Sequence, residues 1–148
     1  MKTFTPEQAN AALPLVRAIV SDLVQLSREV TDRRGRIDFL LSNRDHDEND
    51  PYWQELAAVQ ASLEEDARQL RGYVEELREL GIEPKSAVDG IVDFPAVIDG
   101  RRVYLCWKLG EPEVLYWHEL DAGFRGRQPL TADAGAQGFG FSGGEQAE

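Results

Sequence analysis

The sequence predicts an α+β protein in which a long antiparallel helical hairpin carries a small antiparallel β-meander. Apolar residues step by alternating four and three through two long segments, the spacing of a coiled-coil-like seam. A run without apolar residues, 43–50, separates them. Downstream, strict alternation over 102–109 and 114–120 has the period of half-buried strands.

The elements follow in order. Thr5 can cap a helix, Pro6 can take its first position, and Gln8 can close a capping box. Pro14 lacks an N–H and crowds the carbonyl of Asn10, so the long helix is expected to start or kink near Leu13-Pro14. Beyond it Val16, Val20, Leu23, Ser27, Val30, Arg34, Ile37 and Leu41 form the seam, diluted by Ser27 and Arg34. Gly35 is expected to bend or stop the helix late in its course. Asp50-Pro51 restarts a helix. Leu56, Gln60, Leu63, Ala67, Leu70, Val74 and Leu77 continue the rhythm until Gly81 ends it. Residues 88–94 read as a short strand and Asp99-Gly100 as a hairpin turn. Strands over 102–109 and 114–120 flank a turn at 110–113. Three or four strands are expected. Alternation sets Val103, Leu105, Trp107 and Leu109 against Tyr104, Cys106 and Lys108, and Trp117 against Tyr116 and His118. The expected organisation is a helical hairpin over 1–87, a β-module over 88–130 packed on the helices, and a flexible glycine-rich tail over 131–148.

Of the 148 residues, 42% are apolar, enough for a core. Net charge is −11. Nucleic-acid binding draws on clustered Lys and Arg, and an anionic membrane surface does too, so neither partner is expected. Charge is uneven: residues 1–44 carry seven basic and five acidic side chains, residues 45–83 three and twelve. Cys106 is the single cysteine, so no intrachain disulfide forms, and a cytoplasmic setting is expected. No signal peptide and no membrane span of ~20 apolar residues is read in the sequence.

Val103-Tyr-Leu-Cys-Trp-Lys-Leu-Gly-Glu-Pro-Glu-Val114 and Tyr116-Trp-His-Glu-Leu-Asp-Ala-Gly-Phe-Arg-Gly-Arg-Gln-Pro129 resemble a family of small bacterial and archaeal proteins classified only as a domain of unknown function. Phe4-Thr-Pro-Glu-Gln-Ala-Asn10, Leu13-Pro14 and Gly90-Ile-Val-Asp-Phe-Pro95 are similar to it as well. The resemblance spans roughly residues 3–130 and implies a domain boundary without implying a mechanism.

His118, Glu119 and Asp121 form the sharpest chemical cluster, with imidazole and carboxylate donors suited to a divalent transition metal. Adjacent strand residues face opposite sides, so His118 and Glu119 share an ion only if a bulge or strand end reorients one. His46, in the polar connection, could supply a second arm if the hairpin tip reached the sheet. The plainer reading is a histidine packed among aromatics and hydrogen-bonded to one carboxylate. Cys106, a candidate reactive thiol, shares a strand face with His118 if the register pairs equal parity. With Cys106 near Tyr116, however, His118 falls one residue pair away. Arg125 and Arg127, on a glycine-bent loop, could grip a small anion or neutralise the acidic second helix. The loop lacks the Gly-Lys-Ser/Thr ending of a phosphate-binding P-loop. Trp107, Trp117, Tyr104 and Tyr116 are expected to fill the core or an interface.

The leading expectation is an oligomeric structural or adaptor-like module, most simply a homodimer through the helices, with a protein partner and no enzymatic activity. The first alternative is a metal-binding protein or metal-dependent hydrolase centred on His118. The second is an anionic-ligand domain using Arg125 and Arg127.

Overall fold

The computed structural model describes residues 2–42 and 51–131. The polar connection 43–50, with His46, and all of the expected tail 131–148 except Thr131 lie outside them. Two helices, α1 (Pro6–Ser42) and α2 (Pro51–Glu79), precede five strands: β1 (Glu83–Ser86), β2 (Ile91–Ile98), β3 (Arg101–Lys108), β4 (Tyr116–Glu119) and β5 (Gln128–Pro129). The strands lie in sequence order in one antiparallel sheet. This is the predicted α+β hairpin and meander, with short strands β1 and β5 added at the two edges.

The N-terminus of α1 closes as its sequence predicts. The Thr5 N–H donates to Gln8 Oε1 at 3.0 Å, and the Gln8 N–H donates to Thr5 Oγ1 at 3.1 Å. Thr5→Ala is expected to cost about 1 kcal/mol, read by urea denaturation. An unchanged midpoint would mean the cap is redundant.

The helix does not start at Pro14, nor does it stop at Gly35. It runs through both to Ser42. Ala9, Leu13 and Val16 are buried around Pro14, while Pro14 itself is exposed, so core packing on both sides offsets the lost backbone bond. Asn10 adds a tether: its Oδ1 accepts the Val114 N–H at 2.7 Å.

The α2 C-terminus is a Schellman motif. Gly81 takes φ 88°, its N–H donates to Arg78 O, and the Ile82 N–H donates to Leu77 O. Leu77 and Ile82, the hydrophobic pair such a cap brings together, are both buried.

The core lies between α1 and one face of the sheet. Val16, Val20, Leu23 and Val24 meet Val92, Phe94, Ala96 and Ile98 of β2, Val103, Leu105 and Trp107 of β3, and Trp117 of β4. By length and composition Pro6–Phe39 is apolar enough to pass for a membrane span. Its apolar side is this core. Farther out, among the described residues, Val30, Ile37, Leu56 and Leu63 form a second, smaller cluster between the two helices.

Two backbone details set the sheet. Strand β2 starts later than 88 and passes through Pro95. The Pro95 carbonyl accepts the Phe4 N–H at 2.7 Å, so its N and O face away from β3, past the end of β1. The missing N–H therefore breaks no ladder bond. Asp99 and Gly100, at φ 54° and 78°, make the two-residue turn that Asp-Gly favours.

Gly90 is buried at φ 72°, and a Cβ there would lie 2.8 Å from Leu109 Cβ and 3.0 Å from Val24 Cγ2. Gly90→Ala is expected to cost on the order of 2–3 kcal/mol from left-handed backbone and overpacking. A denaturation midpoint equal to wild type would show that the turn relaxes.

Candidate metal centre

The sheet face opposite α1 carries Asp93 on β2, Tyr104 and Cys106 on β3, and Tyr116 and His118 on β4. The register opposes Asp93 to Cys106, Cys106 to Tyr116, and Tyr104 to His118. Asp93, Cys106 and His118 therefore sit on three neighbouring strands and one face, His118 one pair along from Cys106. One donor atom of each lies within 4.8 Å of the other two. All three are buried, Asp93 and His118 at 1% exposure and Cys106 at 0%.

Three polar groups in one buried place need partners. His118 Nδ1 lies 2.7 Å from the Glu119 carbonyl oxygen. A carbonyl only accepts, so Nδ1 carries the hydrogen. Nε2 lies 3.1 Å from Asp93 Oδ1. It can hold a proton for that carboxylate or a free lone pair. Among the described residues, Asp93 Oδ2 is buried with no hydrogen-bond partner.

The electrostatics follow from burial and these contacts. Burial pulls the His118 pKa down. The Asp93 hydrogen bond, the Glu119 carbonyl and the Asp93 charge together outweigh it, against a downward push from Lys85, so the net shift is upward. Burial, reinforced by the Asp93 charge and a hydrogen bond with Asp93, pushes the Cys106 thiol up to about 12, against the opposing pull of Arg127.

The family model described as Uncharacterized conserved protein (DUF2203) matches residues 2–130. The chain belongs to this family. No curated protein and no solved structure matches it. The DUF2203 match takes in both helices, every strand and all three residues of the cluster.

Within this DUF2203 chain the residues singled out by sequence separate. The carboxylate of Glu119 turns away from the cluster to Arg101 Nη1, at 2.9 and 3.0 Å. Glu119 reaches the cluster only through its carbonyl. Asp121 is exposed in the turn after β4, and His46 lies outside the described residues. Arg125 is exposed. Arg127 is committed to Glu111, with Nη1–Oε1 at 3.1 Å and Nη2–Oε2 at 2.7 Å. Trp107 and Trp117 are buried in the core, while Tyr104 and Tyr116 stay half-buried on the other face, as the alternation predicts. The Tyr104 ring stands 5.6 Å from the His118 ring.

Asp93 is the member that sequence reasoning passed over. Its signal was a carboxylate inside the run Ile91-Val92-Asp93-Phe94, where every neighbour is buried. An acid inside an apolar strand needs a partner, and the partner comes from elsewhere in the sheet.

Proposed function

We propose that the protein binds a divalent transition metal, zinc foremost, on Asp93, Cys106 and His118. The observation that carries this reading is Asp93 Oδ2, a buried carboxylate oxygen with no hydrogen-bond partner among the described residues, beside a thiol and an imidazole. An ion pair between Asp93 and His118 alone would leave that oxygen unsatisfied, at a cost of several kcal/mol if charged. Cys106 would then serve only as a hydrogen-bond neighbour of Asp93 and Arg127. A cation would take that oxygen and the thiolate together.

The donor set selects the metal. Sulfur disfavours magnesium and calcium, and zinc accepts thiolate, imidazole and carboxylate alike. A thiolate and a carboxylate balance a divalent ion, so the filled centre is neutral, as a buried site requires. The Glu119 carbonyl fixes the tautomer that leaves Nε2 free to ligate, a common support for metal-bound histidine. A tetrahedral ion held by these three ligands would keep one position for water, the arrangement that metal-assisted hydrolysis uses. A reducing cytoplasm suits a thiolate ligand.

The test is metal content per chain by plasma mass spectrometry, on untagged protein as purified and after zinc reconstitution. Near-stoichiometric zinc in wild type and none in His118→Ala is the expected result. Equal metal in both would sink the reading.

Self-association is a second reading, favoured by the outer half of the hairpin. There, among the described residues, Val30, Ile37, Leu56 and Leu63 pack between the two helices, and the large side chain of Phe39 beside them is exposed. Light scattering at high micromolar concentration is expected to give twice the chain mass; the monomer mass would refute it.

A further inference from the structure

The thiol of Cys106 faces a second assembly, built from the turn after β3 and the segment before β5. The Arg127 guanidinium carbon lies over two rings, 4.0 Å from the Tyr116 centroid and 4.1 Å from the Phe124 centroid. Its fork is held by both oxygens of Glu111, and Nη1 reaches Cys106 Sγ at 4.0 Å. Glu111 is fixed in turn: its Oε1 accepts the Lys108 N–H and its carbonyl accepts Trp107 Nε1–H, both at 2.9 Å. Both charged side chains are largely enclosed, Arg127 at 14% and Glu111 at 20% exposure. A planar, doubly bonded arginine over a thiol is more rigid than an exposed ion pair needs to be.

We infer that Arg127 and Glu111 form a latch over the metal centre, so that the ion enters and leaves only when the pair opens. The inference rests on the metal reading above. Arg127 acts here as a positioning residue: it closes the thiolate side of the site and donates to the sulfur. Glu111 balances its charge, so the guanidinium does not repel the cation.

The test uses the full chain loaded with zinc and mixed with a chromogenic chelator. In wild type, release is expected to become independent of chelator concentration, because opening limits it. Arg127→Gln and Glu111→Gln should release zinc about 10- to 100-fold faster, the scale on which outer-shell partners act. Their release should also rise with chelator concentration, a change that general loosening of the fold would not produce. Arg101→Gln, which breaks the Arg101–Glu119 pair of the same sheet, should match wild type. Should Arg127→Gln fail to fold, Glu111→Gln carries the test, since its amide oxygen can still accept the Lys108 N–H. Wild-type rates in both variants overturn the latch and leave the metal centre standing. A wild type that takes up no zinc overturns both.

Discussion

Zinc at a hundred times its dissociation constant is expected to stabilise the wild-type chain by about 2.7 kcal/mol and to leave His118→Ala unmoved. For a fold of this size that is a rise in melting temperature on the order of 10 °C. The dependence on pH is the sharper readout. Cys106, pushed up to about 12, holds its proton at neutral pH, so zinc must displace it. Affinity should therefore rise about tenfold per pH unit, and more steeply where His118 is also protonated. The zinc-free chain should behave oppositely. The His118 pKa is raised on folding, so its contribution is fully present below its ordinary 6.5 and is lost as pH rises through the folded value. With and without zinc, stability plotted from about pH 6 to 8 should diverge. Calorimetry giving parallel curves would count against a metal on these residues.

Trp107→Ala is expected to cost about 3–5 kcal/mol, a large share of the 5–15 kcal/mol that holds a domain folded. The side chain is fully buried between β3 and α1. Its loss leaves a cavity at the centre of the larger core. It also leaves the Glu111 carbonyl without the indole N–H that it accepts at 2.9 Å. Trp107→Phe keeps most of the volume and loses that bond, so a smaller loss is expected there. Chemical denaturation of the pair separates the two contributions. Equal losses would mean that the hydrogen bond, and not the packing, dominates.

The helices and the main strands were legible because each repeats one local rule. The seam from Val16 to Ile37 and the alternation from Val103 to Trp107 state which side is buried without reference to anything distant. Gly81 and the Asp99-Gly100 turn carry their backbone demands in their own residue types. Pro14 misled for a physical reason: a local cost of about 3 kcal/mol is smaller than the burial of Ala9, Leu13 and Val16 around it, and that burial exists only once the sheet is present. Strand β1, Glu-Pro-Lys-Ser, has no alternation to read; only pairing with β2 makes it a strand. The site divides in the same way. His118 stood out by residue type, and the offset of Cys106 from it follows from parity. Asp93 did not, because its meaning depends on which residue lies across from it on β3.

The order of the sheet bears on how the chain is made. Each strand pairs with the one synthesised just before it, so the meander can assemble as it emerges. Helix α1 cannot finish so early. Val16, Val20 and Leu23 lie opposite Leu105, Trp107 and Trp117 in the finished core. At roughly 5–20 residues per second, about 90 residues of translation separate the two sides, an interval of order 5–20 s. For most of it the apolar helical stripe lacks the β3 and β4 side chains that complete its core. The nascent chain is then at its most vulnerable to aggregation, and holding chaperones would find their longest opportunity before β3 and β4 leave the ribosome.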